Sequence, residues 1–104
     1  MDNSMKMRAT MQGDVADVKV LIKHIMETGL RKDKDTGKII PAHFIDLVSA
    51  TLNGKTVLEM QWGVGVSKNP YFNFKVKGAK SGDKIAVSAV DNLGTNFSGE
   101  VVIS

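Results

Sequence analysis

The sequence predicts an all-β fold, an antiparallel immunoglobulin-like β-sandwich of about seven strands. Three observations predict it. At least four segments alternate apolar and polar residues, the period of a half-buried strand. Turn residues recur about every ten positions, the spacing of short strands in a sandwich. No stretch carries a helical repeat of apolar residues.

After a frayed tail at Met1 to Ser4, Met5 to Met11 alternates as a strand should. Gly13 marks a turn. Val15 to Lys23 is the next strand, with Val18, Val20 and Ile22 on one face. His43 to Leu52 is rich in β-branched and apolar residues. It leads into Asn53-Gly54, the strongest short signal for a two-residue type I′ hairpin, and Lys55 to Gln61 returns. Two apolar sets compete for the inner face of this hairpin: Phe44, Val48, Ala50 and Leu52 against Ile45 and Leu47. A glycine-rich connection, Trp62 to Pro70, precedes Tyr71 to Lys77, where Phe72, Phe74 and Val76 point in. Asp83 to Val90 follows, with Ile85, Val87 and Ala89 inward. Asp91 to Gly94 reads as a turn. Thr95 to Ile103 closes the chain, with Phe97, Val101 and Ile103 on one face.

One hundred and four residues make a single domain, 1–104, and a hydrophobic content of 42% suffices for its core. The net charge is only +3, and Lys and Arg are spread along the whole length among Asp and Glu. A nucleic-acid binder clusters its cations and interleaves aromatics. Six aromatics, mostly core, do not fit that pattern. No apolar run approaches the ~20 residues of a membrane span. The N-terminus has no hydrophobic region of a signal peptide, which by itself points to the cytoplasm.

The chain has no cysteine. That excludes disulfides, thiolate metal sites and a Cys nucleophile together. Asp33-Lys34-Asp35-Thr36-Gly37 resembles a calcium loop only in part. An EF-hand needs glycine sixth and glutamate twelfth; counting from Asp33, glycine is fifth and the twelfth residue is Phe44. Gly63 and Gly65 have no third spaced glycine and no helix after them, so they form no dinucleotide site. His24 and His43, read as surface or strand-end residues, supply two ligands where a catalytic zinc needs three. Six methionines are many for this length. If Met7, Met11 and Met26 meet at one edge, their thioethers would suit Cu(I), which leaves a Met/His copper-handling periplasmic domain as an alternative function. The plainer reading is that they fill gaps and coat binding surfaces. No carboxylate pair sits where a cleft would need it. The expectation is therefore no catalytic residue, no metal and no cofactor.

The stretch that breaks the strand pattern is Lys23 to Pro41, about nineteen residues. Hairpin loops usually run to ~2–5 residues, and longer ones in compact domains tend to be functional. Apolar residues are pinned inside it (Ile25, Met26, Leu30). Its charges are mixed, five basic and three acidic, which suits a protein surface as target. Arg31 and Tyr71 are favoured interface anchors, and Met26 would add an adaptable contact. The Asn69-Pro70-Tyr71 corner is a second, weaker interface candidate.

Within that stretch, His24-Ile25-Met26-Glu27-Thr28-Gly29-Leu30-Arg31-Lys32-Asp33 resembles the H-P-M-E-T-G-x-R-K-D run of the SoxZ family. The likeness continues through Gly37 to Pro41, through Leu52-Asn53-Gly54-Lys55 and through Asn69-Pro70-Tyr71 with Phe74, covering nearly the whole chain in order. One departure stands out: Ile25 replaces the family's proline. The resemblance implies an immunoglobulin-like, non-enzymatic subunit of the SoxYZ sulfur-carrier complex of bacterial thiosulfate oxidation. Its partner would be SoxY, which carries sulfur intermediates on a cysteine in a glycine-rich C-terminal tail. Other thiosulfate-oxidising enzymes would dock transiently, and neither nucleic acid nor membrane is implied. The resemblance also implies a periplasmic address, reached with the partner's export signal, and this replaces the cytoplasmic expectation. The residues expected to meet a partner are His24, Met26, Glu27, Thr28, Gly29, Arg31, Asn69, Pro70 and Tyr71.

Overall fold

A computed structural model describes residues 5–104; the expected fraying of Met1 to Ser4 lies outside the described residues. Seven antiparallel strands form two sheets. They are β1 (Met5–Gln12), β2 (Val15–Ile22), β3 (Ile45–Leu52), β4 (Lys55–Gln61), β5 (Tyr71–Lys77), β6 (Lys84–Asp91) and β7 (Asn96–Val102). The order is β1-β2-β5 in the smaller sheet and β4-β3-β6-β7 in the larger. The fold is a β-sandwich, as the alternation predicts.

The core lies between the sheets and follows the period-two faces. Ala16, Val18, Val20 and Ile22 come from β2, Ile85, Val87 and Ala89 from β6, and Phe97 with Ile103 from the end of the chain. Asn53 and Gly54 both have positive φ, 50° and 88°, as a type I′ turn requires.

The competing faces of β3 are reconciled by a bulge. Ile45 pairs with Asp91 and Leu47 with Val90, so Asp46 is an extra residue. The bulge brings both Ile45 and Val48 into the core and turns Leu47 out. Each apolar set is therefore inward along part of its length. A second irregularity lets Ala50 pair with Leu58 and Thr51 with Thr56. It disturbs the ladder of β4, an edge strand, which discourages pairing with another chain.

The sandwich closes where β1 meets β7. A Cβ on Gly99 would lie 2.5 Å from Met5 Cγ and 2.9 Å from Met7 Sδ, so a larger residue there would make these methionines shift. Beyond β7, Ser104 N–H donates to Ala9 O at 3.1 Å, and Met11 N–H donates to Ser104 O at 3.1 Å. Bonds to residues on either side of Thr10 are the pattern of a parallel pairing.

Candidate functional site

His24 continues the inward period of β2 one step past Ile22, and Asp91 continues that of β6 one step past Ala89. Both are buried for that reason. His43 precedes β3 and is held by a two-way backbone pairing with Glu27, at 2.7 Å and 3.0 Å. The three side chains converge. Asp91 Oδ2 accepts from His24 Nε2 at 3.2 Å and from His43 Nε2 at 2.7 Å. Its Oδ1 accepts the backbone N–H groups of Leu93 and Thr95 at 3.0 and 2.9 Å. The imidazoles meet edge to face, 4.6 Å between centroids, and His24 packs similarly on Phe97. Burial pushes the Asp91 carboxyl up. The hydrogen bonds from Thr95, His43, His24 and Leu93 together outweigh it and hold the group below the usual carboxylate range.

Both histidines lie just outside strand ends, as one half of the expectation has it, but His24 is only 5% exposed, which corrects the surface half. The missed partner is Asp91, read from sequence as a turn residue. Its place in the inward series Ile85, Val87, Ala89 was the signal that could have found it.

His, His and Asp with ligand atoms within 4.8 Å of one another resemble a metal cup. The hydrogen bonding argues otherwise. Met26 N–H donates to His24 Nδ1 at 3.0 Å, so that nitrogen carries no proton and Nε2 carries the ring's hydrogen. A cation on Nε2 would have to strip that hydrogen while Nδ1 still faced a donor. The trio is a satisfied polar latch. No buried side-chain polar atom among the described residues lacks a partner.

Met7, Met11 and Met26 do not meet at one edge either. Met7 is opposite Val20, Met11 is opposite Ala16 four residues along β1, and Met26 lies beyond Ile22. Four residues of strand span about 13 Å. Met26 is buried, and Ile45 N–H donates to its sulfur at 3.3 Å. The expectation that Met26 offers an adaptable surface contact is thus corrected: its side chain is core.

Around the latch, the two sequence fragments become one place. His24 N–H donates to Asn69 Oδ1 at 3.0 Å, Asn69 N–H to His24 O at 2.8 Å, and Ile22 N–H to Pro70 O at 3.0 Å. Asn69 holds φ at 51°, a conformation Asn tolerates better than most residues. Gly29 has φ 84°, and a Cβ there would sit 3.1 Å from Ala42 Cβ. Of the expected partner-contacting residues, His24, Met26 and Pro70 are interior and Gly29 is half-buried. Thr28, Arg31, Asn69 and Tyr71 are exposed. The Arg31 guanidinium forks onto the Glu27 carboxylate through Nε and Nη2. That hydrogen bond holds Glu27 below its ordinary value, against a smaller opposing effect of burial. Ile25, Met26, Glu27, Thr28, Arg31 and Lys68 line an open groove of ≈ 400 Å³ beside the latch.

With this geometry in hand, the sequence matches the family described as "Sulphur oxidation protein SoxZ" over residues 5–102. The chain belongs to the SoxZ family. A search of the curated proteins finds no significant match. Among solved structures, the chain is similar to a hypothetical protein from Pyrococcus horikoshii OT3, with a TM-score of 0.65 and 18% identity. That match covers 97% of this chain and 88% of the other, and it supports the sandwich fold alone. Membership in the SoxZ family makes the chain a sulfur-oxidation protein, as the His24–Asp33 resemblance predicts. In that family frame, the latch is the scaffold that sets the long segment at one end of the sandwich.

Proposed function

We propose that the chain is the non-catalytic subunit that pairs with a cysteine-bearing SoxY-type carrier and helps present its arm to thiosulfate-oxidising enzymes in the periplasm. The observation that carries this reading is the SoxZ match over residues 5–102 in a chain with no cysteine. Covalent sulfur carriage needs a thiolate that attacks and later leaves. Methionine sulfur is already dialkylated, and lysine and histidine make no stable bond to sulfane sulfur. The chain's contribution is then positional: a docked scaffold raises the effective concentration of a tethered arm near an enzyme. Glu27, Thr28 and Arg31 form the partner-facing side of the long segment and Tyr71 extends it at the start of β5, with His24, Met26, Asn69 and Pro70 holding the segment in shape from behind.

Intact-mass spectrometry of both chains of the assembled complex, after turnover with thiosulfate, tests the division of labour. Sulfur or thiosulfonate increments are expected on the partner alone. A stoichiometric sulfur adduct on this chain would refute the reading, as would failure to co-purify with a Cys-tailed partner.

A further inference from the structure

Read along the sequence, the cations look evenly scattered; folding sorts them. On the smaller sheet, outward positions are Lys6, Arg8, Thr10 and Gln12 of β1, Val15, Asp17, Lys19 and Leu21 of β2, and Tyr71, Asn73, Lys75 and Lys77 of β5. The register stacks them in rows: Lys6–Leu21–Tyr71, Arg8–Lys19–Asn73, Thr10–Asp17–Lys75 and Gln12–Val15–Lys77. Five cations and one carboxylate give this face a net +4. The whole chain is +3, so everything else together is −1.

The one carboxylate does little to neutralise the surface. Asp17 is only 6% exposed and accepts a hydrogen bond from Asn73 Nδ2 at 2.6 Å; its contact with Lys19 is 4.0 Å. Among the described residues, Lys6, Arg8, Lys75 and Lys77 make no ion pair. Arg8 stands directly opposite Lys19, a like-charge pairing that destabilises a sheet. Edge guarding accounts for Lys75 and Lys77 on β5. It does not account for Lys19 on the central strand. The face also has an apolar corner: Leu21 beside Tyr71, 60% exposed, in a shallow depression of ≈ 370 Å³ with Lys6, Arg8 and Lys19.

We infer that this face is a docking surface for a carboxylate-rich protein surface that also offers an apolar side chain to the Leu21–Tyr71 corner. Charge complementarity selects an anionic occupant. The apolar corner, with a single aromatic on the face, favours protein over nucleic acid, which calls for several stacking rings. Tyr71 joins this face to the Asn69-Pro70-Tyr71 corner, so the surface continues around from the long segment. The inference does not depend on the identity of the carrier subunit.

The test is nuclear magnetic resonance titration of the whole chain with a short peptide in which glutamates flank a single leucine. Backbone amide shifts are expected on Lys6, Arg8, Lys19, Leu21, Tyr71 and Lys75, weakening at least tenfold as the Debye length falls from ~10 Å at 0.1 M salt to ~3 Å at 1 M. Replacing the peptide's leucine with glycine should weaken binding several-fold, and an Arg8→Glu/Lys75→Glu variant should lose it. Lys84→Glu on the opposite sheet should leave it unchanged. Shifts confined to other surfaces, no shifts, or binding indifferent to the leucine would overturn the proposal. So would tighter binding to a DNA duplex or to phosphatidylserine vesicles than to the peptide. If the double variant fails to fold, the leucine and salt dependences of the unmodified chain decide.

Discussion

From His24 to Met26 the chain drives alternate side chains into the sandwich; from Arg31 to Ile40 it folds back on itself in solvent. The first half behaves as an extension of β2. His24 and Met26 are buried, Ile25 between them is exposed, and the backbone is clamped by Asn69 and His43. The second half is a miniature hairpin. Lys32 bridges Ile39, Asp33 N–H donates to Lys38 O and Ile40 N–H to Arg31 O, both at 2.8 Å. Asp33 Oδ1 accepts the N–H groups of Asp35 and Thr36 at its tip. That is an Asx turn, in which a side-chain oxygen takes the place of a backbone carbonyl. Nearly every side chain there is exposed; Leu30, at the junction, is 84% exposed. One continuous loop thus contains a part that belongs to the core and a part that the core can do without.

The largest break in that contrast should come from Asp91→Ala. It leaves the part-buried backbone donors of Leu93 and Thr95 without their acceptor and removes the shared acceptor of two imidazoles. Breaking a buried charged network costs about 3–5 kcal/mol, against about 5–15 kcal/mol for a domain of this size. Urea unfolding should show it, and a loss under about 1 kcal/mol would mean the latch contributes little. The same substitution tests the pH dependence. The Asp91 carboxyl is held below its ordinary value in the folded chain, so its stabilising contribution is complete above ~4, the unfolded carboxylate's range. The contribution fades as pH falls through the lower folded value. The stability gap between the unmodified chain and Asp91→Ala should therefore narrow on acidification below that point and not above it.

Met26→Ala comes next. It removes a buried side chain and the sulfur that Ile45 N–H faces, for an expected loss of about 2–5 kcal/mol. At the other extreme, Arg31→Ala should leave the urea unfolding midpoint essentially unchanged, because an exposed ion pair adds little. It should instead weaken association with the partner in a titration calorimeter. If Arg31→Ala destabilises the fold as much as Met26→Ala, the two halves are not distinct.

Strand positions were legible because most strands alternate inward and outward residues; β4 and β5 run over the residues expected, Lys55–Gln61 and Tyr71–Lys77. The inner face of β3 was not, because a single extra residue at Asp46 changes which side faces in, and nothing local announces it. The site was half legible. Apolar runs end at Ile22 and Ala89, and polarity stops the eye there, yet the alternation continues one step further to His24 and Asp91. What no linear reading supplies is which strand is opposite which, and so neither the His–Asp–His convergence nor the cluster of Lys6, Arg8 and Lys19 on one face was visible before the register was known.

The pairing of Ser104 with Ala9 and Met11 has a mechanical consequence. β1 and the end of the chain lie side by side and point the same way, so a pull that draws Met5 and Ser104 apart acts along the strands. Bonds loaded in that direction share the force and yield together, whereas bonds peeled from one end yield one at a time. Met5 and Met7, seated over Gly99, add friction to the same sliding motion. Tension applied between these two points therefore loads both Ser104 bonds in shear at once.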